Sequence, residues 1–413
     1  MNSLYRDSRF RFIIFANIAS SIGSGITMIA IPWLLVTSRN GNEVFGYVAM
    51  GMTIINFILT PYLGHLIDRI SRKRLLICSK VVSLFALLAF TAIGFLGVDY
   101  ELWHYIVIYM IGSLYYTIFY PTMFALNQEL FRKDQFKVLN GTMEVQGQLS
   151  SMVAGGIASI LLLKWELHYI LLMDVCTYAV AIFFFMKIPY VREKREATDG
   201  DGFGTSKVTG IKASVTLNYL MKQPVMFLFL LATSLPFIAI MLTNYLFPVY
   251  LADVLSVEGN IYGIQGMVYG LGAVLAGVFV PIAAQKFAGE KMIAALMVMF
   301  TVAISIMVYL SVSGYLFMML LIAVGNSGVR VARNTFMMEH VPNDIIGRVD
   351  GLLRATGLLL RIVLLGLFTG LVSGGHILLC FTILTGILGF ASFYVVVYWR
   401  RSLHSINREV VKA

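Results

Sequence analysis

Charge is scarce in this sequence. Asp, Glu, Lys and Arg make up 13% of its 413 residues, about half the share that a soluble globular chain carries. Too few ionic side chains remain to clothe a water-facing surface, and disorder and a collagen-like chain are excluded by the same composition. Cysteine is scarce too. Cys78, Cys176 and Cys380 each sit inside an apolar run, which rules out a disulfide scaffold and predicts buried thiols rather than metal ligands. The six histidines (His65, His104, His168, His340, His376 and His404) are scattered, and no Ser/His/Asp or metal-binding constellation emerges, so no enzyme chemistry is indicated. No Gly-x-x-x-x-Gly-Lys-Ser/Thr loop occurs, so ATP hydrolysis by this chain is not expected.

What the chain has instead is apolar length. Its hydrophobic fraction is 59% and its mean hydropathy +0.84. A helix needs ~20 mostly apolar residues to cross the hydrocarbon core of a bilayer. Such stretches lie near 10–36, 44–66, 75–97, 104–126, 139–163 and 167–189, then near 223–250, 260–284, 290–312, 314–338, 347–373 and 376–399. Lipid offers no partner to the edge amides of an open sheet, so these runs are helices. The expected fold is an all-α polytopic membrane protein of twelve spans in two groups of six. The first run is too long for a signal peptide and lacks its small-residue cleavage pattern, so it is expected to be retained.

The net charge of +10 would suggest nucleic acid in a soluble chain. Here it falls into alternate loops. With the N-terminus inside, the inner segments hold Arg6, Arg9 and Arg11, then Arg69, Arg72, Lys73 and Arg74, then Arg132, Lys133 and Lys137, and further cations downstream. The outer loops hold only Arg39 and Lys164, beside Glu43, Asp99, Glu101, Glu166, Asp253 and Glu258. The positive-inside rule therefore places both termini in the cytoplasm of a multi-pass cell-membrane protein. Residues 190–222 form the one long polar segment, rich in charge, Gly and Ser/Thr. They read as a cytoplasmic linker between a six-helix half over 1–189 and another over 223–413.

The two halves carry traces of duplication. Glu129, Asp134 and Gly141 follow the fourth span, and Glu339, Asp344 and Gly351 follow the tenth at a constant offset of 210. Between the second and third spans stands Gly64-His-Leu-Ile-Asp68-Arg69-Ile-Ser-Arg72-Lys73-Arg74. This loop resembles the signature of the major facilitator superfamily, Gly-x-x-x-Asp-Arg-x-x-Arg-Lys/Arg. The resemblance implies two six-helix halves around a central cavity, alternating access, and an inner gate. In that gate Gly64 permits close helix approach. Asp68 meets the start of the eleventh helix near Gly347, and Arg69 and Arg72 belong to a charge cluster. The matching loop of the second half, Gln285 to Lys291, has lost the signature, so the gate is expected to be asymmetric. The fifth span holds Gly147, Ser151, Met152, Gly155 and Gly156, similar to the family's exporter motif without its proline. The segments after the fourth and tenth spans resemble the branch of macrolide-efflux and siderophore-exporter proteins.

Polar residues inside the membrane are costly and point to function. The tenth span offers Asn326, Arg330, Arg333 and Met337 on one helical face. By the 210 offset the fourth span presents Tyr116 and Tyr120, and the first offers Asn17, Ser20, Ser21, Ser24 and Thr27. In the family the first, fourth, seventh and tenth helices line the cavity. Arg361 of the eleventh span lies roughly 20 Å beyond Gly347 at 1.5 Å per residue, close to mid-bilayer. The expected substrate site is therefore Asn17, Tyr116, Tyr120, Asn326, Arg330 and Arg361. Arg333 reads as a cation that reaches back toward the inner surface.

The candidate proton-coupling carboxylates are Glu144 and Asp174. Guanidinium groups outnumber them, and guanidinium is the natural partner of carboxylate or phosphate. The expected function is proton-coupled export of a small anionic or zwitterionic organic metabolite, such as a carboxylate siderophore. The alternative is a multidrug or macrolide efflux pump for neutral amphipathic compounds, and an uptake permease ranks below both. No cofactor, metal or nucleic acid is expected. The partners are a small-molecule substrate and membrane lipids, the chain is expected to be a monomer, and an ion gradient, that of protons, is expected to drive it.

Overall fold

A computed structural model describes residues 2–132, 135–190, 223–283, 289–342 and 346–410. Nearly all of the expected linker, and Asp134 and Asp344 of the repeat, lie outside the described residues, as does the side chain of Asp68. A short helix, Asn2–Arg6, precedes twelve long ones. These are α1 (Ser8–Thr37), α2 (Gly41–Arg69), α3 (Arg72–Phe95), α4 (Leu102–Leu130), α5 (Phe136–Lys164) and α6 (Leu167–Lys187). Then come α7 (Pro224–Val254), α8 (Gly259–Ala283), α9 (Gly289–Met307), α10 (Val312–His340), α11 (Ile346–Ser373) and α12 (Ile377–Val410). All twelve are long and apolar enough to cross a membrane, and no strand occurs among the described residues. Their ends follow local chemistry. Asp7 caps α1 by accepting from the Arg9 amide at 2.8 Å, and the Glu101 amide donates to His104 Nδ1 at 2.9 Å at the start of α4. Both bonds satisfy or position groups that a helix N-terminus leaves open.

The chain divides into two compact units. One holds α1–α6 with Ser256–Met267, which includes the first part of α8. The other holds α7, the rest of α8 and α9–α12. Within the first unit α1 packs on α4, α5 and α6, and α3 packs on α4 and α6. Within the second, α7 packs on α10, α11 and α12, and α9 packs on α10 and α12. Each pairing recurs six helices later, which is the architecture of a duplicated six-helix unit.

Lipid tails are as apolar as leucine, so close packing and interhelical bonds hold such helices together. The small residues mark the tightest contacts. A Cβ on Gly23 of α1 would stand 2.0 Å from Thr177 Oγ1 and 2.8 Å from Asp174 Oδ1 of α6. One on Gly155 of α5 would stand 2.4 Å from the backbone nitrogen of Met267. In the second unit Gly272 of α8 meets the Leu320 carbonyl of α10, and Thr301 of α9 shares a 2.8 Å hydrogen bond with Ser392 of α12. Around them Phe229, Met297, Phe336 and Leu353 form an apolar core.

α7 is interrupted. Pro224–Ala232 and Leu235–Val249 are joined by a turn at Thr233–Ser234, and a wider π turn follows over Tyr250–Val254. Pro236 has no N–H to return to the preceding turn. At the turn the Ser234 N–H goes to the Leu231 carbonyl at 3.0 Å, and the Thr233 and Ser234 hydroxyls donate to the Leu230 carbonyl, at 3.0 and 2.8 Å.

The cysteines differ from expectation. Cys380 is buried, but Cys78 and Cys176 lie on the outer surface of their unit. An apolar run in a membrane helix has a lipid-facing side as well as a core, and the run alone does not say which side a thiol takes.

Candidate functional site

In the first unit the polar residues of α1 turn inward. Ser24 and Thr27 donate to the Asp174 carboxylate of α6 at 3.3 and 2.8 Å, and Thr177 stands 3.4 Å from the same group. Two of the five residues of the helix-1 stripe, expected to face a cavity, are thus spent on a buried carboxylate, which requires donors wherever water is excluded. Asn17 is buried as well. Its amide nitrogen reaches Met143 Sδ at 3.9 Å, and its Oδ1 has no hydrogen-bond partner among the described residues. Glu144 is exposed on α5 and accepts from Gln148 at 3.1 Å. The two proton-coupling candidates therefore occupy opposite environments.

The same core holds a cation that the sequence reading passed over. Lys80 of α3 is fully buried and donates to the Tyr115 hydroxyl. Its Nζ lies 4.8, 5.0, 5.2 and 5.5 Å from the ring centroids of Tyr115, Phe119, Tyr178 and Phe185. Ring quadrupoles attract a cation over their faces. The available signal was a single Lys five residues beyond the start of the apolar run at Leu75, on a helix that the family resemblance does not assign to the cavity. Tyr116 and Tyr120 of α4 stack at 5.5 Å with planes 17° apart.

At one end of this unit the basic loop is tied to its neighbours. Arg72 donates to the Ala125 carbonyl at 2.8 Å and pairs with Glu129 at 3.4 Å. Glu129 also accepts from the Tyr190 hydroxyl at 2.7 Å. Burial foremost, and then the Glu129 carboxylate, raise the Tyr190 phenol above its ordinary pKa, so it remains a donor at neutral pH. Lys73 caps α6 through the carbonyls of Met186 and Ile188 at 3.0 and 2.8 Å. Arg69 is exposed and lines a basic recess with Lys73 and Arg74. A Cβ on Gly64 would meet nothing within 4 Å among the described residues.

In the second unit the break in α7 receives the arginines of α10. A small recess is lined by Thr233, Pro236, Phe237, Asn326, Arg330 and Arg333. Arg333 Nη1 donates to Ser234 Oγ at 2.6 Å, while its buried Nε has no hydrogen-bond partner among the described residues. Asn326 donates to the Tyr269 hydroxyl at 2.8 Å, and its buried Oδ1 is likewise unmatched. Two residues that line the recess, seven apart on α10, thus each keep an unmatched polar atom: a guanidinium donor on Arg333 and an amide acceptor on Asn326. Met337 leaves this face and joins the apolar core. Arg361 is half-buried on α11 and turns its Nη1 to Met241 Sδ of α7 at 4.0 Å.

The family model described as Major Facilitator Superfamily matches residues 13–364. The chain belongs to that superfamily. Among curated relatives, Macrolide efflux protein A of Streptococcus pyogenes is 22% identical over 372 residues, covering 86% of this chain and 88% of that protein. The protein of the same name from Enterococcus faecalis is 22% identical over 317 residues, covering 74% and 95%. Solved structures share the fold. A bacterial homologue of the iron transporter ferroportin, in its inward-facing state, superposes with a TM-score of 0.70 at 14% identity, over 96% of this chain and 99% of that one. The nucleoside transporter NupG gives 0.68 at 12% identity, over 95% and 99%. The superfamily and these folds make the chain a multi-pass membrane transporter rather than an enzyme.

Proposed function

We propose that this transporter is an efflux pump for amphipathic, oxygen-rich organic compounds of the macrolide kind, working by alternating access and driven by a proton gradient. The observation that carries this reading is the recess at the break of α7. An interrupted membrane helix is a usual place for substrate contact. Here two residues that line the recess, Arg333 and Asn326, each keep a buried polar atom without a hydrogen-bond partner among the described residues, and both would become available to the carbonyl and hydroxyl groups of such a solute when the recess, now with room for about one water, widens. The macrolide-efflux relatives, matched over most of their length, support the same class. The working unit is a monomer in the cell membrane, with both termini cytoplasmic.

A second reading rests on the arginines themselves. Arg330 and Arg333 in one recess suit a carboxylate, and export of an anionic metabolite such as a carboxylate siderophore would use them. One comparison separates the two. Cells expressing the chain should hold less radiolabelled macrolide than cells carrying an empty vector, with retention restored when the proton gradient is collapsed. Equal macrolide retention, together with a secreted carboxylate metabolite that disappears when the gene is removed, would favour the second reading.

A further inference from the structure

Lys80 and Asp174 have no part in the reading above. Both are buried in the first unit, on α3 and α6, behind α1 and α4, which are expected to line the cavity. They feel one another's charge, yet no direct ion pair joins them among the described residues. Each is held by neutral groups instead. Asp174 accepts from the hydroxyls of Ser24 and Thr27, with Thr177 close by. Lys80 rests against four aromatic faces and one phenol.

That arrangement has a consequence for protonation. In a contact ion pair, neutralising the acid strands the base as an uncompensated charge in a low-dielectric interior. Here the rings and the Tyr115 oxygen would still hold the Lys80 charge if Asp174 gained a proton. Hydroxyl groups also lead away from Asp174. The Ser24 hydroxyl, which donates to Asp174, faces the phenols of Tyr116 and Tyr178. Tyr116 stacks on Tyr120, and Tyr120 is 65% exposed on its unit. The titratable groups around Asp174 are Lys80 from α3, Tyr115 and Tyr116 from α4, and Tyr178 from its own helix. From α1 only hydroxyls face it.

We propose that Asp174, with Lys80 as its buried counter-charge, is the proton-carrying site that couples export to the gradient. One proton passes from the Tyr116 phenol through the Ser24 hydroxyl, each giving up its own proton as it takes the next, neutralises the Asp174 carboxylate while Lys80 keeps its charge, and leaves from the same oxygen in the other half of the cycle. This rests on the reading of the chain as a proton-driven exporter, and of the two candidate carboxylates it selects Asp174, in the closed core of the first unit, over the exposed Glu144.

Two measurements on the full chain in lipid vesicles test it. Infrared difference spectra across a pH titration should show a protonated-carboxyl band that is lost in Asp174→Asn and kept in Glu144→Gln. A band unchanged in Asp174→Asn, or absent from the wild type, overturns the proposal. In transport, Asp174→Asn and Lys80→Met should lose macrolide movement driven by a pH gradient yet keep exchange of labelled for unlabelled macrolide at equal pH. Retention of gradient-driven movement, or loss of both activities in monodisperse protein, overturns it as well. Tyr116→Phe, which leaves both charges in place, should slow the gradient-driven mode alone; an unslowed variant removes the route and the proposal with it. Should the wild type move no macrolide, the efflux reading fails, and the infrared titration still decides whether Asp174 exchanges a proton.

Discussion

Arg72 and Glu129 meet at 3.4 Å, with the side chains only 18% and 20% exposed. The pair fastens the loop between α2 and α3 to the end of α4, and Tyr190 donates to the same carboxylate from beyond α6. Three segments that are distant in sequence thus share one acidic group. Replacing Glu129 by Gln should lower the thermal stability of the detergent-purified protein by about 1–3 kcal/mol, because the Arg72 guanidinium keeps its burial and loses its counter-charge. Tyr190→Phe removes one hydrogen bond and should cost about 1 kcal/mol. A Glu129→Gln protein that melts with the wild type would show that the pair adds nothing to stability.

The contact between α1 and α6 leaves no room for a methyl group at position 23. A Cβ there would fall 2.0 Å from Thr177 Oγ1, so Gly23→Ala forces the helices apart or turns Thr177 away from Asp174. Overpacking of this kind costs about 1–3 kcal/mol. Gly64→Ala meets open space and serves as the control. The thermal midpoint should drop for the first variant and hold for the second, and equal midpoints would contradict the packing described here.

How far these contacts could be read in advance differs from residue to residue. The twelve helices were legible because lipid enforces long apolar runs, and Ile346 opens α11 one residue before the expected Gly347. The charges on the loop near Arg72 were legible through their spacing. Lys80 was not, because one cation in a long apolar run gives no sign of the four rings that fold around it from α4 and α6. Ser24 and Thr27 were correctly placed on one face of α1, but a helical repeat does not tell whether that face looks toward a cavity or toward Asp174. The break in α7 was not legible in the sequence, where 223–250 passes for one apolar run despite Pro236; that Arg333 would reach Ser234 across it depends on how α7 and α10 pack.

Asp7 gives the structure a pH-dependent end. The Arg9 side chain hydrogen-bonded to it, at 2.7 Å for the shortest contact, holds the Asp7 carboxyl below its ordinary pKa, against the smaller opposing effect of burial. A carboxyl whose pKa is lowered by folding contributes stability that is complete above its unfolded value, near about 3.9. That contribution fades as pH falls through the folded value. At neutral pH, Asp7→Ala should cost about 1 kcal/mol through loss of the cap on α1. The gap between the two proteins should narrow as acid is added, which melting curves over descending pH would show; a constant gap would mean that the carboxylate charge plays no part.

At the break of α7, Arg333→Ala removes the guanidinium that spans Ser234 and the recess. It should raise the substrate concentration at half-maximal export by about tenfold, the equivalent of 1.4 kcal/mol. Arg333→Lys, which keeps the charge and loses the planar fork, should recover only part of that loss. Unchanged export kinetics in Arg333→Ala would remove the recess from the substrate path.

The central claim is that this chain moves a macrolide-like solute out of the cell, and retention of labelled macrolide tests it most directly. Cells expressing the wild-type chain should retain less label than cells carrying the Arg333→Ala variant at equal membrane abundance, and the difference should vanish when the proton gradient is dissipated. Retention equal to that of the empty vector, with the gradient intact and the protein present in the membrane, would contradict the account.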